Sequence, residues 1–182
     1  LEKLQQKFNN NYFICTSNID GFFKKAGFDP DKIYEMHGTM DLFQCMDKSC
    51  NLRNGYQLLY KIPQHDENLM VKKLPKCNYC SNILRPNVSM FGDHKFYQVP
   101  YKYQRNKLEK FIESNDNMVI LEIGCGINPH SLRMENNKML SGEWKMPKIK
   151  ENVPYIRINP NDPGECNVYI PLGATKGIIS IL

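Results

Sequence analysis

Residues 118–126 read MVILEIGCG, an apolar run broken by one glutamate and closed by two glycines around a cysteine. A run this short and this apolar is a buried strand ending in a tight turn. The elements around it follow the same rhythm. Upstream, the charge and apolar spacing of Pro100–Ser114 predicts a helix, with its proline at the first position where no amide hydrogen is needed. Downstream, VPYIRIN (153–159) and CNVYIP (166–171) predict two more strands, and GATKGIISIL (173–182) a final helix. Strands alternating with helices predict an α/β fold with a Rossmann-like, doubly wound parallel sheet.

The N-terminal half is less regular. Residues 1–8 read as the end of a helix, and Asn11–Ser17 as a short buried strand. Phe22–Ala26 reads as a brief helix stopped by Gly27. KIYEMHG (32–38) is a strand ending at Gly38, and ILRPNVSMF (83–91) a strand running toward Gly92. Between them lies a cysteine-bearing stretch whose middle, residues 51–73, has no clear period. The expected organisation is a body of residues 1–38 and 86–182, with a small module of 39–85 inserted.

Seven cysteines, an odd number, suit a disulfide framework poorly. Cys45 with Cys50 and Cys77 with Cys80 form two close pairs separated by 26 residues. Two such knuckles can aim four thiolates at one point, the structural zinc arrangement; the competing readings are four core thiols or two disulfides. A site closed by four cysteines serves folding rather than turnover.

Ligands of open α/β sheets bind at the carboxyl ends of the strands. The polar and glycine-rich ends are Ser17-Asn18-Ile19-Asp20, His37-Gly38, Gly124-Cys125-Gly126 and Asn159. Together they would line a pocket with one imidazole, one carboxylate, two amides and glycines that admit a ligand to the backbone.

The remaining composition bounds the class. Hydrophobic residues at 41% and charged residues at 24% in 182 residues make a globular domain with a real core. A net charge of +5, spread along the chain, gives no reason to expect a specific nucleic-acid partner. No apolar run nears the roughly 20 residues that span a bilayer, and no signal peptide is visible. The expectation is an intracellular protein, cytoplasmic or nuclear, without a membrane partner.

In order, the motifs TSNIDGFFKKAG (16–27), His37-Gly38, two cysteine pairs, LRPNVSMFGD (84–93), Gly124-Cys125-Gly126 and a late asparagine resemble the sirtuins, the NAD-dependent protein deacylases. The family patterns are TQNIDGLHxxAG, HG and LRPxVVxFGE, and the resemblance covers nearly the whole chain from Thr16. It implies His37 as general base, and Asn18 and Asp20 holding the nicotinamide ribose and carboxamide beside Ser17 and Ile19. It implies Gly124, Cys125 and Gly126 on the ribose and phosphate path, Asn159 at the adenosine ribose, and Gly173 and Ala174 at adenine. Val88, Ser89, Met90, Phe91, Gly92 and Asp93 correspond to the segment that receives an acylated lysine of a protein substrate. The implied cofactor is NAD, with structural zinc, and the implied products are free lysine, nicotinamide and O-acyl-ADP-ribose.

Departures from the pattern point to alternatives. Ser17 replaces Gln, Phe22-Phe23 replaces Leu-His, and Cys125-Gly126 replaces Thr-Ser. FKKAGFDPDKI, DLFQC and LEIGCGINP are similar to macrodomain-linked microbial sirtuins, described as protein ADP-ribosyltransferases. Those lack the histidine and the RPxVxFG strand that this chain keeps, so deacylation is the first expectation. Transfer of ADP-ribose to protein, hydrolysis of NAD, and a zinc-stabilised module without catalysis are the others. No GAGxS-type loop lies within residues 1–16, so the family's first βα unit is expected to be missing here, as an upstream segment.

Overall fold

The structure, a computed structural model, describes residues 2–47, 49–50, 57–58, 65–68, 70–93, 96–126, 132–134, 136 and 153–182. In chain order the elements are α1 (Glu2–Lys7), β1 (Ile14–Thr16), α2 (Phe22–Lys25), a 3-10 turn (Pro30–Lys32), β2 (Ile33–Glu35), β3 (Gly38–Cys45) and β4 (Gln57–Leu58). Then come β5 (Leu84–Val88), α3 (Val99–Glu113), β6 (Ile120–Ile123), β7 (Tyr155–Ile158), β8 (Val168–Ile170) and α4 (Ala174–Ser180). They group into two compact units, one of Leu1–Ile14 with Asn106–Leu182, the other of Cys15–Arg105.

The first unit carries the parallel sheet, ordered β6-β7-β8. Ile120 to Ile123 pair in parallel with Tyr155 to Ile158, and Ile156 to Ile158 with Val168 to Ile170. Ile158 is fully buried at the middle of the sheet. Helix α4 lies close over it because of Gly177: a Cβ there would sit 2.3 Å from Ile158 Cγ2. Leu108 and Ile112 of α3 complete the apolar core, and Phe111 meets Phe13 with ring centroids 5.7 Å apart.

The second unit is built on an antiparallel sheet, ordered β4-β3-β5. The predicted strand over 32–38 proves to be two. β2 stops at Glu35, Met36 and His37 make a turn, and β3 starts afresh at Gly38. Residues 38–45 therefore form the longest strand among the described residues, over a stretch in which the sequence pattern had suggested no strand. Its pairing with β5 runs from Gly38↔Val88 and Thr39↔Asn87 to Cys45↔Leu84, with a bulge between Thr39 and Phe43. Pro86 sits opposite the bulge, at Phe43, the kind of ladder irregularity that tolerates a residue with no amide hydrogen. β5 is also shorter than expected, ending at Val88 rather than running on to Phe91.

Gly38 is the hinge of this arrangement. Its φ of 88° lies in the left-handed region, and an added Cβ would sit 2.1 Å from the Asn87 carbonyl oxygen. Only glycine lets the backbone of β5 come this close. Gly38→Ala is therefore expected to cost about 2–4 kcal/mol, from left-handed strain plus the forced parting of the strands. Urea unfolding would show it as a lowered midpoint at constant m; an unchanged midpoint would mean the β3–β5 contact is not a constraint.

Candidate functional site

The turn after β1 is fixed locally. Thr16 is buried, and its Oγ1 accepts the Asn18 amide at 3.1 Å. Asp20 Oδ1 accepts the Phe22 amide at 2.9 Å and so opens α2, with Gly21 at φ 65° between them. The Ile19 carbonyl accepts from Met40 of β3 at 3.0 Å, tying the turn to the antiparallel sheet. Asn18 is left exposed and Asp20 half-buried. One oxygen of Asp20 thus shapes the turn, and a carboxylate keeps further acceptor sites for a ligand.

His37 is half-buried in the turn between β2 and β3. Its carbonyl accepts the Ser89 amide at 2.8 Å, so the histidine backbone is clamped to the segment after β5. That segment is a turn, closed by the Asp93 amide on the Met90 carbonyl at 3.0 Å. Arg85 Nη2 holds Asp93 Oδ2 at 2.5 Å, with both side chains largely shielded from solvent. Asp93 therefore braces the loop, and Met90 and Phe91 stand out at its tip, Phe91 93% exposed.

Beneath the loop lies Asn87, which the sequence pattern leaves as an arbitrary position. It is fully buried. Its Oδ1 accepts the Tyr97 amide at 3.1 Å and its Nδ2 donates to the Tyr97 carbonyl at 3.0 Å. Tyr101 Oη donates to the Asn87 carbonyl at 3.2 Å. The available signal was a single side-chain amide in the strand LRPNV, since a buried amide persists where its polar groups find partners.

At the other end of the β3–β5 pair the four cysteines converge. The sulfurs of Cys45, Cys50, Cys77 and Cys80 all lie within 4.8 Å of one another. Cys45 and Cys80 are 3.5 Å apart and Cys50 and Cys77 3.6 Å, far beyond a disulfide bond. Sulfurs around a tetrahedral ion with bonds of about 2.3 Å are roughly 3.8 Å apart, so the cluster has the dimensions to hold one metal ion. Each pair sits on a turn whose amide points back at a sulfur: Asp47 to Cys45 and Tyr79 to Cys77, both at 3.4 Å. Burial pushes the Cys45 thiol up to about 12. Burial also raises Cys77, but amides of Tyr79 and Cys80 and thiols of Cys50 and Cys80 outweigh it and bring the group to about 7.

In the unit of the parallel sheet, Gly124 follows β6 with φ 65°, and among the described residues nothing lies within 4 Å of where a Cβ would stand on Gly124, Gly126 or Gly173. These open glycines are where a ligand can approach main chain. Asn159, after β7, donates from Nδ2 to the Cys125 carbonyl at 2.8 Å and accepts the Asn161 amide at 3.1 Å. It bridges the two strand ends. Burial first, and the nearby Glu122 next, push the Cys125 thiol up to about 12, so it stays a neutral thiol rather than a nucleophile. Gly173 and Ala174 begin α4.

The glutamate that interrupts the apolar run is the feature that the sequence reading passed over. Glu122 is buried between strands and accepts on Oε1 from Arg157 Nε at 2.7 Å and Arg133 Nη2 at 3.0 Å. Tyr155 Oη donates to Oε2. Opposite charges at matching places in two neighbouring buried strands, Glu in LEI and Arg in IRI, were the signal.

A family model described as the Sir2 family matches residues 1–126. The chain belongs to the Sir2 family. An NAD-dependent protein deacylase of Candida albicans is 27% identical over 184 aligned residues, covering 79% of this chain and 58% of that protein. An NAD-dependent protein deacylase of Aquifex aeolicus is 32% identical over 93 residues, 51% of this chain and 33% of its own length. This chain therefore spans well under two thirds of the length of these Sir2 relatives. Among solved structures, a Sir2 homolog–NAD complex superposes with TM-score 0.63 at 18% identity, over 97% of this chain and 59% of that one. A mutant Sir2 homologue with 2'-O-acetyl ADP ribose gives 0.58 at 19%, over 93% and 58%. At such identities these likenesses establish the fold: an α/β sirtuin architecture with a parallel sheet and a separate four-cysteine cluster. Among the described residues, no helix is long and apolar enough to cross a membrane.

The shielded Arg85–Asp93 pair gives a direct expectation. Asp93→Ala leaves a guanidinium without its partner and should cost about 3 kcal/mol or more, as for other broken buried pairs. The check is urea unfolding together with exchange of the Ser89 and Asp93 amides; full protection with unchanged stability would mean the loop is held by other contacts.

Proposed function

We propose that this protein is an NAD-dependent protein-lysine deacylase that transfers the acyl group to ADP-ribose and releases nicotinamide. The observation that carries the reading is the Sir2 match over residues 1–126, a span that contains Asn18, Asp20, His37, the four cysteines and the 88–93 loop together. The Candida and Aquifex relatives, both NAD-dependent protein deacylases, point the same way.

NAD, when bound, supplies the ribose carbon from which nicotinamide departs and the hydroxyl that takes the acyl group. The chain's own residues bind, orient and move one proton. A ring nitrogen of His37 accepts the proton of that hydroxyl, a task suited to an imidazole near neutral pH. Asn18 orients a ribose hydroxyl or a water through its amide, and Asp20 accepts from the nicotinamide carboxamide. Ser17 and Ile19 complete that turn. Gly124, Cys125 and Gly126 receive the ribose and phosphates, Asn159 the adenosine ribose, and Gly173 and Ala174 the adenine. Among the described residues β5 is the edge strand of its sheet, and the turn that follows it, from Val88 to Asp93, is the segment that receives an acyl-lysine peptide through its main chain. Phe91 and Met90 at the loop tip supply apolar contact.

On this reading the cysteine cluster holds structural zinc, and residues 39–85 are an insert in a nucleotide-binding body of 1–38 and 86–182. A setting in cytoplasm or nucleus fits thiols that stay reduced. A second reading rests on Cys125-Gly126: with no hydroxyls there, transfer of ADP-ribose to protein, or hydrolysis of NAD, competes with deacylation.

Two measurements test this. The full encoded protein and its His37→Ala variant are incubated with NAD and a panel of acyl-lysine peptides, with products followed by mass spectrometry. O-acyl-ADP-ribose formation is expected from the intact protein and a loss of 100-fold or more, typical of a lost general base, in the variant. Free ADP-ribose, or a mass gain on protein with peptides untouched, would replace deacylation with the second reading. For the metal, elemental analysis is expected to give one zinc per chain. Cys77→Ser should lower Tm by roughly 10 °C or more, the size of several kcal/mol at 2–4 °C each; a metal-free protein of unchanged Tm would reduce the cluster to packed thiols.

A further inference from the structure

The Glu122 cluster does more than pair two strands. Glu122 and Arg157 face each other in register on β6 and β7. Each is followed closely by a stretch assigned above to the cofactor: Gly124 to Gly126 after the first, Asn159 after the second. Beyond each stretch the chain returns to the same cluster. Arg133, after the glycine turn, donates from Nη2 to Glu122 at 3.0 Å and from Nη1 to Asp162 at 2.6 Å. Asn136, buried, reaches Tyr155 Oη at 3.5 Å. Past Asn159, Asp162 takes the Arg133 contact, and the Pro163 carbonyl accepts from Arg157 Nη1 at 2.8 Å. The cluster therefore brackets both stretches on both sides.

Its charge is balanced, with two guanidiniums against two carboxylates, so it offers little net attraction to a phosphate. It is also filled. A Cβ on Gly164 would lie 1.8 Å from Arg157 Nη1, so even the backbone past Pro163 is fitted to the guanidinium. A balanced, closed ion cluster in a parallel sheet is a costly way to gain stability, because desolvation offsets the attraction. What it supplies is fixed geometry, since the planar Arg133 fork spans Glu122 and Asp162 at once and so sets direction as well as distance.

We propose that Arg133 and Asp162, joined through Glu122 to Arg157, are positioning residues that lock the 124–126 turn and Asn159 into one rigid cradle for the ribose of the dinucleotide. This rests on the NAD reading above. The cradle's rigidity lowers the ordering cost of binding, so its loss weakens affinity more than it weakens the fold.

The test uses the full encoded protein and ADP-ribose as probe, with affinity by calorimetry and stability by thermal melting. Arg133→Met combined with Asp162→Leu removes the bridging pair as a pair and leaves Glu122 balanced by Arg157. A Tm within a few degrees of the unaltered protein, with ADP-ribose bound at least tenfold more weakly, is the expected result. Equal affinity in a folded double variant overturns the proposal while the NAD reading stands. Should the double variant not fold, Arg133→Lys keeps the charge and loses the fork. About threefold weaker binding or more is then expected, and unchanged binding overturns the proposal. An unaltered, folded protein that binds no ADP-ribose overturns the NAD reading, and this proposal with it.

Discussion

The pairing of β3 with β5 is the constraint on which the Cys15–Arg105 unit depends. One end of this ribbon begins at Gly38, immediately after His37, and lies opposite Val88, where the 88–93 loop starts. The other end stops at Cys45, opposite Leu84 and beside the sulfur cluster. One register therefore sets the histidine, the loop and the four-cysteine cluster together. A slip of one residue would turn every side chain of a strand to the wrong face, and the ribbon is pinned against it at both ends. The Gly38–Asn87 approach tolerates no Cβ at one end, and the converging sulfurs of Cys45, Cys50, Cys77 and Cys80 hold the other.

Much of this was legible in the sequence for physical reasons. The four cysteines were found because metal ligation demands close pairs on turns, and spacing along the chain preserves that demand. The parallel sheet was found because a buried strand ending in glycines has few other readings. The boundary at His37 was misread because β2 and β3 are separated by two residues, and a turn that short leaves no gap in the apolar pattern. The strand over residues 38–45 was missed for a related reason. The module's irregular middle hides the fact that its first strand pairs with β5, forty residues on. The predicted extension of β5 failed because local pattern cannot foresee that Arg85 turns back to Asp93.

Glu122 teaches the complementary lesson. In a sequence, one acid in an apolar run reads as a blemish. In the sheet it meets Arg157 directly across, Tyr155 from the same strand as the arginine, and Arg133 from further along. Three partners contributed from two separate places in the chain cannot be inferred from the spacing of either. Asn87 shows the same thing on a smaller scale, satisfying both faces of its amide with Tyr97. Such residues are read from a structure as saturated hydrogen-bond inventories, which no periodicity records.

The cysteine cluster also has a consequence for the order of folding. Cys77 and Cys80 are local and can form their knuckle within a few residues, and Cys45 and Cys50 nearly so. Bringing the two knuckles together closes a loop of 26 intervening residues, whose entropic cost grows only as the logarithm of its length. An ion captured first by one knuckle would carry that closure, and β3 would then find β5 as a tethered partner. Long-range antiparallel pairing, ordinarily a slow step, becomes a short search. The sulfur cluster would in this way act as a clasp in time as well as in space, closing before the histidine turn at the far end of the ribbon takes shape.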